Sequence, residues 1–158
     1  MTTVSLRDVQ MEYEQGSEEI VVLKGVDLDV EAGQIVSIMG KSGSGKTTLL
    51  DILGGIQTPR QGSVSICDTD LTTLTESERT RFRRRHIGMI FQFFNLIPSL
   101  TAIENVEFPL TVNHLENSGQ PEELLRELRI DDRRDQFPST LSGGEKQRVA
   151  IARALVHD

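Results

Sequence analysis

The chain is 158 residues long and carries 24 acidic against 17 basic residues, a net charge of −7. That length fits one domain with a core of its own, and the acidic balance argues against general affinity for nucleic acid. The single cysteine, Cys67, excludes an internal disulfide framework, and the longest uncharged run, residues 87–103, is too short and too polar to cross a bilayer.

Val4–Val9 and Ile20–Val30 predict two strands joined by an acidic loop, Glu12–Glu19, with Gly25 and Gly33 marking bends or turns. Gln34–Met39 is short and rich in β-branched residues and predicts a buried strand. It leads into Gly40-Lys41-Ser42-Gly43-Ser44-Gly45-Lys46-Thr47, a complete G-x-x-x-x-G-K-[ST] phosphate-binding loop, followed by the apolar helical pattern Thr47–Leu53. The glycines permit backbone conformations in which successive N–H groups converge on phosphate oxygens, and the helix N-terminus adds partial positive charge. Lys46 is expected on the β- and γ-phosphates and the Thr47 hydroxyl on Mg²⁺, with Thr48 completing the contact and the Lys41 side chain pointing away. The implied ligand is a nucleoside triphosphate such as ATP.

Gly62–Ile66 predicts a further strand. Thr75 and Glu78 have capping-box spacing and open a helix bearing Arg79, Arg81, Arg83, Arg84 and Arg85, read as a solvated face. A short strand is expected before Gln92. Phe93–Leu100 is apolar but interrupted by Pro98; it fits either a docking surface for a partner or a loop tucked into the local core. A second capping box, Thr101 to Glu104, and Pro121 in a first helical turn predict helix across most of residues 101–128. Finally, Ser142-Gly143-Gly144-Glu145 has the S-x-x-E spacing of a third box, but with glycines at the first two helical positions. Glycine weakens a helix by about 1 kcal/mol there, and what it offers instead is bare N–H groups open to an anion.

Leu141-Ser-Gly-Gly-Glu-Lys-Gln-Arg-Val-Ala-Ile-Ala-Arg-Ala-Leu155 resembles the signature motif and helix of the ABC (ATP-binding cassette) ATPases, and the resemblance extends over essentially the whole chain. It implies an α/β P-loop NTPase: a strand-rich nucleotide-binding part with a RecA-like core over residues 1–91, a Q-loop and helical subdomain over 92–145, and the signature motif and helix over 141–156. It also assigns roles. Tyr13 matches the aromatic residue that stacks on adenine, and Gln92 matches the Q-loop glutamine that ligates Mg²⁺ or the attacking water. Ser142, Gly143, Gly144 and Glu145 would contact an ATP held by a second copy, since these cassettes dimerise head to tail. Phe91–Pro98 and Glu104–Leu110 are similar to the subset serving lipoprotein release and macrolide efflux.

The resemblance therefore implies an ATPase subunit that energises a membrane transporter, cytoplasmic and held at the inner face of the membrane by permease subunits. The alternative it leaves is a soluble cassette ATPase acting on ribosomes or DNA. In the family a hydrophobic strand ending in Asp-Glu and then a switch histidine follow the signature helix. His157 precedes that place and Asp158 ends the chain, so the expectation is the N-terminal part of such an ATPase, with an incomplete core sheet and no turnover by itself.

Overall fold

The computed structural model describes residues 2–16 and 18–156; His157 and Asp158 lie outside them. Two compact units divide after Arg81. In the first, β1 (Thr2–Gln15) pairs antiparallel with β2 (Glu18–Glu31) on one side and β3 (Gln61–Ile66) on the other, and β4 (Thr69–Asp70) extends the sheet to the order β2-β1-β3-β4. The expected acidic loop is much shorter than its sequence suggests. Glu12, Tyr13 and Glu14 stay on the ladder, with Tyr13 opposite Ile20, because each residue there finds a cross-strand partner.

Leu6 and Val9 are both fully buried although strict alternation would place them on opposite faces. Asp8 between them adopts φ 46° and the ladder shifts register there, so the bulge turns the alternation over. Gly62 of β3 accommodates that bulge: a Cβ at this position would stand 2.3 Å from the Asp8 carbonyl oxygen.

Helix α1 (Lys46–Leu53) follows the glycine-rich loop and buries Leu49 and Ile52. Residues 34–40 ahead of that loop are extended but belong to no ladder among the described residues, which corrects the expected buried strand. Ile35 is 99% and Met39 87% exposed. A strand exists only where neighbours accept and donate its backbone hydrogen bonds, and no described strand does so here. Helix α2 (Glu76–His86) runs across the division at Arg81 and is opened by the expected box: Thr75 N donates to Glu78 Oε2 (2.9 Å) and Glu78 N to Thr75 Oγ1 (3.4 Å). Arg79 departs from the solvated face, being buried and bound to Glu76 and Thr58, whereas Arg81, Arg84 and Arg85 are exposed.

The second unit is helical. α3 (Ala102–Asn113), α4 (Gln120–Glu127) and α5 (Gly143–Leu155) meet in a core that includes Ile103, Val106, Leu125, Ile130, Val149 and Val156. Thr101 caps α3 through the reciprocal box with Glu104, and Pro121 sits in the first turn of α4. The short strand expected before Gln92 does not form; residues 87–91 have no ladder partner among the described residues, and Ile90 is half exposed. Phe93–Leu100 is tucked into the local core along part of its length. Leu96 packs against the core, and fully buried Asn105 fastens the loop by accepting from Ile97 N (2.7 Å) and donating to the Ile97, Leu100 and Thr101 carbonyls. Phe93 points outward, 81% exposed. The first unit thus carries an open four-stranded sheet with helices, an α/β arrangement, and the second unit is helical.

Candidate functional site

The phosphate loop is built by two left-handed glycines. Gly43 has φ 78° and Gly45 φ 85°, the latter standing at the N-cap of α1 with no side chain capping the helix. The amides of the first turn therefore keep the open donors of any uncapped helix start. Gly45 is also wedged against β2, where a Cβ would meet Val22 Cγ1 and Leu23 Cδ2 at 3.0 Å and the Val22 carbonyl at 3.1 Å. A cleft of about 330 Å³ results, lined by residues 42–48 and Val22. No carboxylate lines it.

Lys46 folds back over the loop, with Nζ donating to the Gly40 carbonyl (3.0 Å), the Lys41 carbonyl (2.7 Å) and Ser44 Oγ (3.4 Å). Neutral acceptors hold the ammonium at the cleft, and anionic phosphate oxygens would hold it more strongly. Gly40 and Lys41 stand outside the lining and contribute these carbonyls. The donor set of Lys46, the Ser42, Ser44, Thr47 and Thr48 hydroxyls and the helix end fits a polyphosphate. For a divalent cation the cleft offers the Thr47 hydroxyl, which fits Mg²⁺ held chiefly by the triphosphate's own oxygens. Among the described residues no cluster of His, Cys, Asp or Glu could hold a metal independently.

Tyr13 is 39% exposed on β1, and its hydroxyl donates to Gln57 Oε1 at 2.7 Å. Gln57 lies in the turn after α1, tied back to the Asp51 carbonyl, so the ring is fixed to the same helix that begins at Lys46. That leaves ring surface accessible for an aromatic base. Gln57 and Val22 carry no sequence signal for these roles; they are found only because strand and loop meet in space.

The remaining candidates lie in the second unit. Gln92 is exposed at a turn, and Phe94 (φ 61°) and Asn95 (φ 46°) follow it in left-handed conformation. Ser142 caps α5 as the spacing predicts: Glu145 N donates to Ser142 Oγ (3.3 Å) and Ser142 N to Glu145 Oε2 (2.7 Å). Gly143 and Gly144, at the first two helical positions, are left with their amides outside this box. Hydrogen bonds from Ser142, joined by Arg133 Nε at 3.0 Å, hold the Glu145 carboxyl well below its ordinary value, at about 2. Arg133 thus offsets a negative charge that would otherwise oppose an anion at this helix end.

Residues 23–158 match the ABC transporter family. The chain is 45% identical over 157 residues to the lipoprotein-releasing system ATP-binding protein LolD of Pseudomonas fluorescens, covering 98% of this chain and 69% of that protein. It is 42% identical over 157 residues to the macrolide export ATP-binding/permease protein MacB of Escherichia coli, covering 98% of this chain and 24% of that one. An uncharacterised Mycobacterium tuberculosis ABC transporter ATP-binding protein is 42% identical over 161 residues, and the chain spans 49% of its length. Among solved structures, the dimeric post-hydrolysis state of the ATP-binding cassette MJ0796 bound to ADP and Pi superposes with a TM-score of 0.88 at 43% identity, covering 98% of this chain and 69% of that one.

Proposed function

From a chain that belongs to the ABC transporter family of ATP-binding cassettes, we propose an ATP-binding and ATP-hydrolysing subunit that energises a membrane transporter of the lipoprotein-release or efflux type. The observation that carries this is the phosphate loop: an ammonium and an uncapped helix N-terminus converge on a cleft without carboxylates. The names of the LolD and MacB relatives support the transport setting, and none of the relatives named above points to ribosomes or DNA.

Lys46 holds the β- and γ-phosphates, Gly40 to Thr48 wrap them, Tyr13 stacks on adenine, and Thr47 with Gln92 serves Mg²⁺. When bound, Mg²⁺ supplies charge neutralisation on the triphosphate. Ser142, Gly143, Gly144 and Glu145 contact the ATP of a second copy, so that γ-phosphate bridges two subunits and its loss lets them part. The dimeric state of the MJ0796 cassette supports a reading with two subunits. Residues 92–145 form the subdomain that faces permease subunits, and the protein works at the cytoplasmic face of the membrane. No described helix is long and apolar enough to cross it.

Two measurements test this. The protein binds a fluorescent ATP analogue that ATP displaces, and Mg-ATP shifts its sedimentation from monomer to dimer. Ser142→Arg keeps the binding and abolishes the shift. A protein that binds no ATP defeats the reading. Residues 1–158 alone are expected to bind nucleotide without turning it over, since no residue assigned above is a carboxylate that orients the attacking water. Steady Mg-dependent phosphate release from them would overturn that part.

A further inference from the structure

Gln92 lies in a segment without regular structure, yet the chain on both sides of it is fastened to one turn of α5. On the far side, Arg153 donates from Nη2 to the Phe94 carbonyl and from Nη1 to the Asn95 carbonyl, each at 2.6 Å. These are the two residues whose positive φ turns the chain two and three positions after Gln92. On the near side, Gly88 lies so close to the adjacent residue of α5 that a Cβ would stand 2.1 Å from the Ala154 carbonyl oxygen. Both anchors therefore sit on Arg153 and Ala154, consecutive residues of the helix that Ser142 caps.

The two carbonyls of consecutive residues are met by separate nitrogens, Nη1 and Nη2, of one planar group, a fork that an ammonium matches only with a single nitrogen on a shorter stem. Burial pushes the Arg153 guanidinium down from its ordinary value because desolvation disfavours the cation, and the two carbonyls act against that loss.

We propose that Arg153 is a positioning residue for Gln92: it locks the turn after the glutamine to the signature helix, so that the two candidate ATP-contacting segments of the helical unit move as one piece. This rests on the proposed ATPase function. It goes beyond it by assigning a role to a residue that touches neither nucleotide nor metal. A displacement of the signature helix, driven by ATP bound across a dimer, is then delivered to Gln92 through Arg153 and the Gly88 contact.

The test is a double-mutant cycle on Mg-ATP turnover, in the protein as the cell makes it and assembled with its membrane partner. Gln92→Ala and Arg153→Met each lower kcat roughly tenfold to a hundredfold, while the affinity for ATP without Mg²⁺ changes by less than about twofold. The double variant is no slower than Gln92→Ala alone, and Arg153→Lys, which keeps the charge but brings a single nitrogen on a shorter stem, restores kcat only in part. Multiplying effects in the double variant, or wild-type kcat in Arg153→Met, would overturn the proposal. Should Arg153→Met not fold, Gly88→Ala shifts the same segment with Arg153 in place. It must likewise lower kcat and be silent in a Gln92→Ala background; additive loss there overturns the proposal equally. Lys46→Ala separates the two readings. If it leaves ATP binding intact, the phosphate-loop assignment has failed; if it abolishes binding while Gln92 and Arg153 act independently, only the positioning role has failed.

Discussion

Two helices of this protein begin with glycine-rich, serine-bearing sequences, and they begin in opposite ways. α1 starts behind Gly45 in left-handed conformation, with no side chain capping its first turn. α5 starts behind Ser142 in extended conformation, closed by a reciprocal Ser142 and Glu145 box. The first end is left open beside an ammonium. The second satisfies part of its own end, places a carboxylate there and offsets it with Arg133, leaving only the Gly143 and Gly144 amides outside the box. An anion would be gripped at the first and merely completed at the second.

Removing the ammonium should break this contrast most strongly. Lys46→Ala is expected to weaken ATP binding at least about a hundredfold, about 3 kcal/mol, because a charge-assisted contact to phosphate is lost at its source. Titration with a fluorescent ATP analogue checks it, and near-normal affinity would mean that the loop amides alone suffice.

The glycines sharpen the comparison because one substitution has opposite signs at the two ends. Gly45→Ala forces a side chain into φ 85° against Val22 and Leu23 and should destabilise the protein by about 2 kcal/mol. Gly143→Ala meets open space without a positive φ. It should raise stability by about 0.5 kcal/mol while weakening ATP-driven dimerisation. Urea denaturation gives both signs. Ser142→Ala removes the cap that α5 has and α1 lacks, at a cost of about 1 kcal/mol read as a lower urea midpoint.

The smallest effect concerns the carboxylate. Glu145 is held near 2 against an ordinary 4.5, so its contribution to stability is fully present above about pH 4.5 and is lost as pH falls toward 2. The difference in urea midpoint between the wild type and Glu145→Gln should be constant from pH 7 to 5 and close between 4.5 and 2. A difference that widens in acid would contradict the hydrogen bonding described.

Much of this was legible in the chain. The three capping boxes at Thr75, Thr101 and Ser142 form where their spacing puts them, because an N-cap and its N3 partner are local and need nothing from the rest of the fold. The phosphate loop is legible for the same reason. The strand expected over residues 34–39 failed, and so did the one before Gln92. β-branched composition reports a tendency, whereas a strand needs partners that the local sequence cannot name. The extension of β1 past Glu12 is the converse case: acidic residues read as a loop hold a ladder because Ile20 and its neighbours lie opposite.

By itself, then, the sequence determined the contacts that close within a few residues: Lys46 over its loop, Ser142 with Glu145, the order of motifs that places the chain in its family. Tertiary structure alone decided that Gln57 orients Tyr13 across 44 positions, that Val22 walls the cleft, and that Arg153 grips the turn 58 and 59 residues before it. Residues so far apart in the chain leave no shared pattern in it, and only folding brings their donors and acceptors within hydrogen-bonding range.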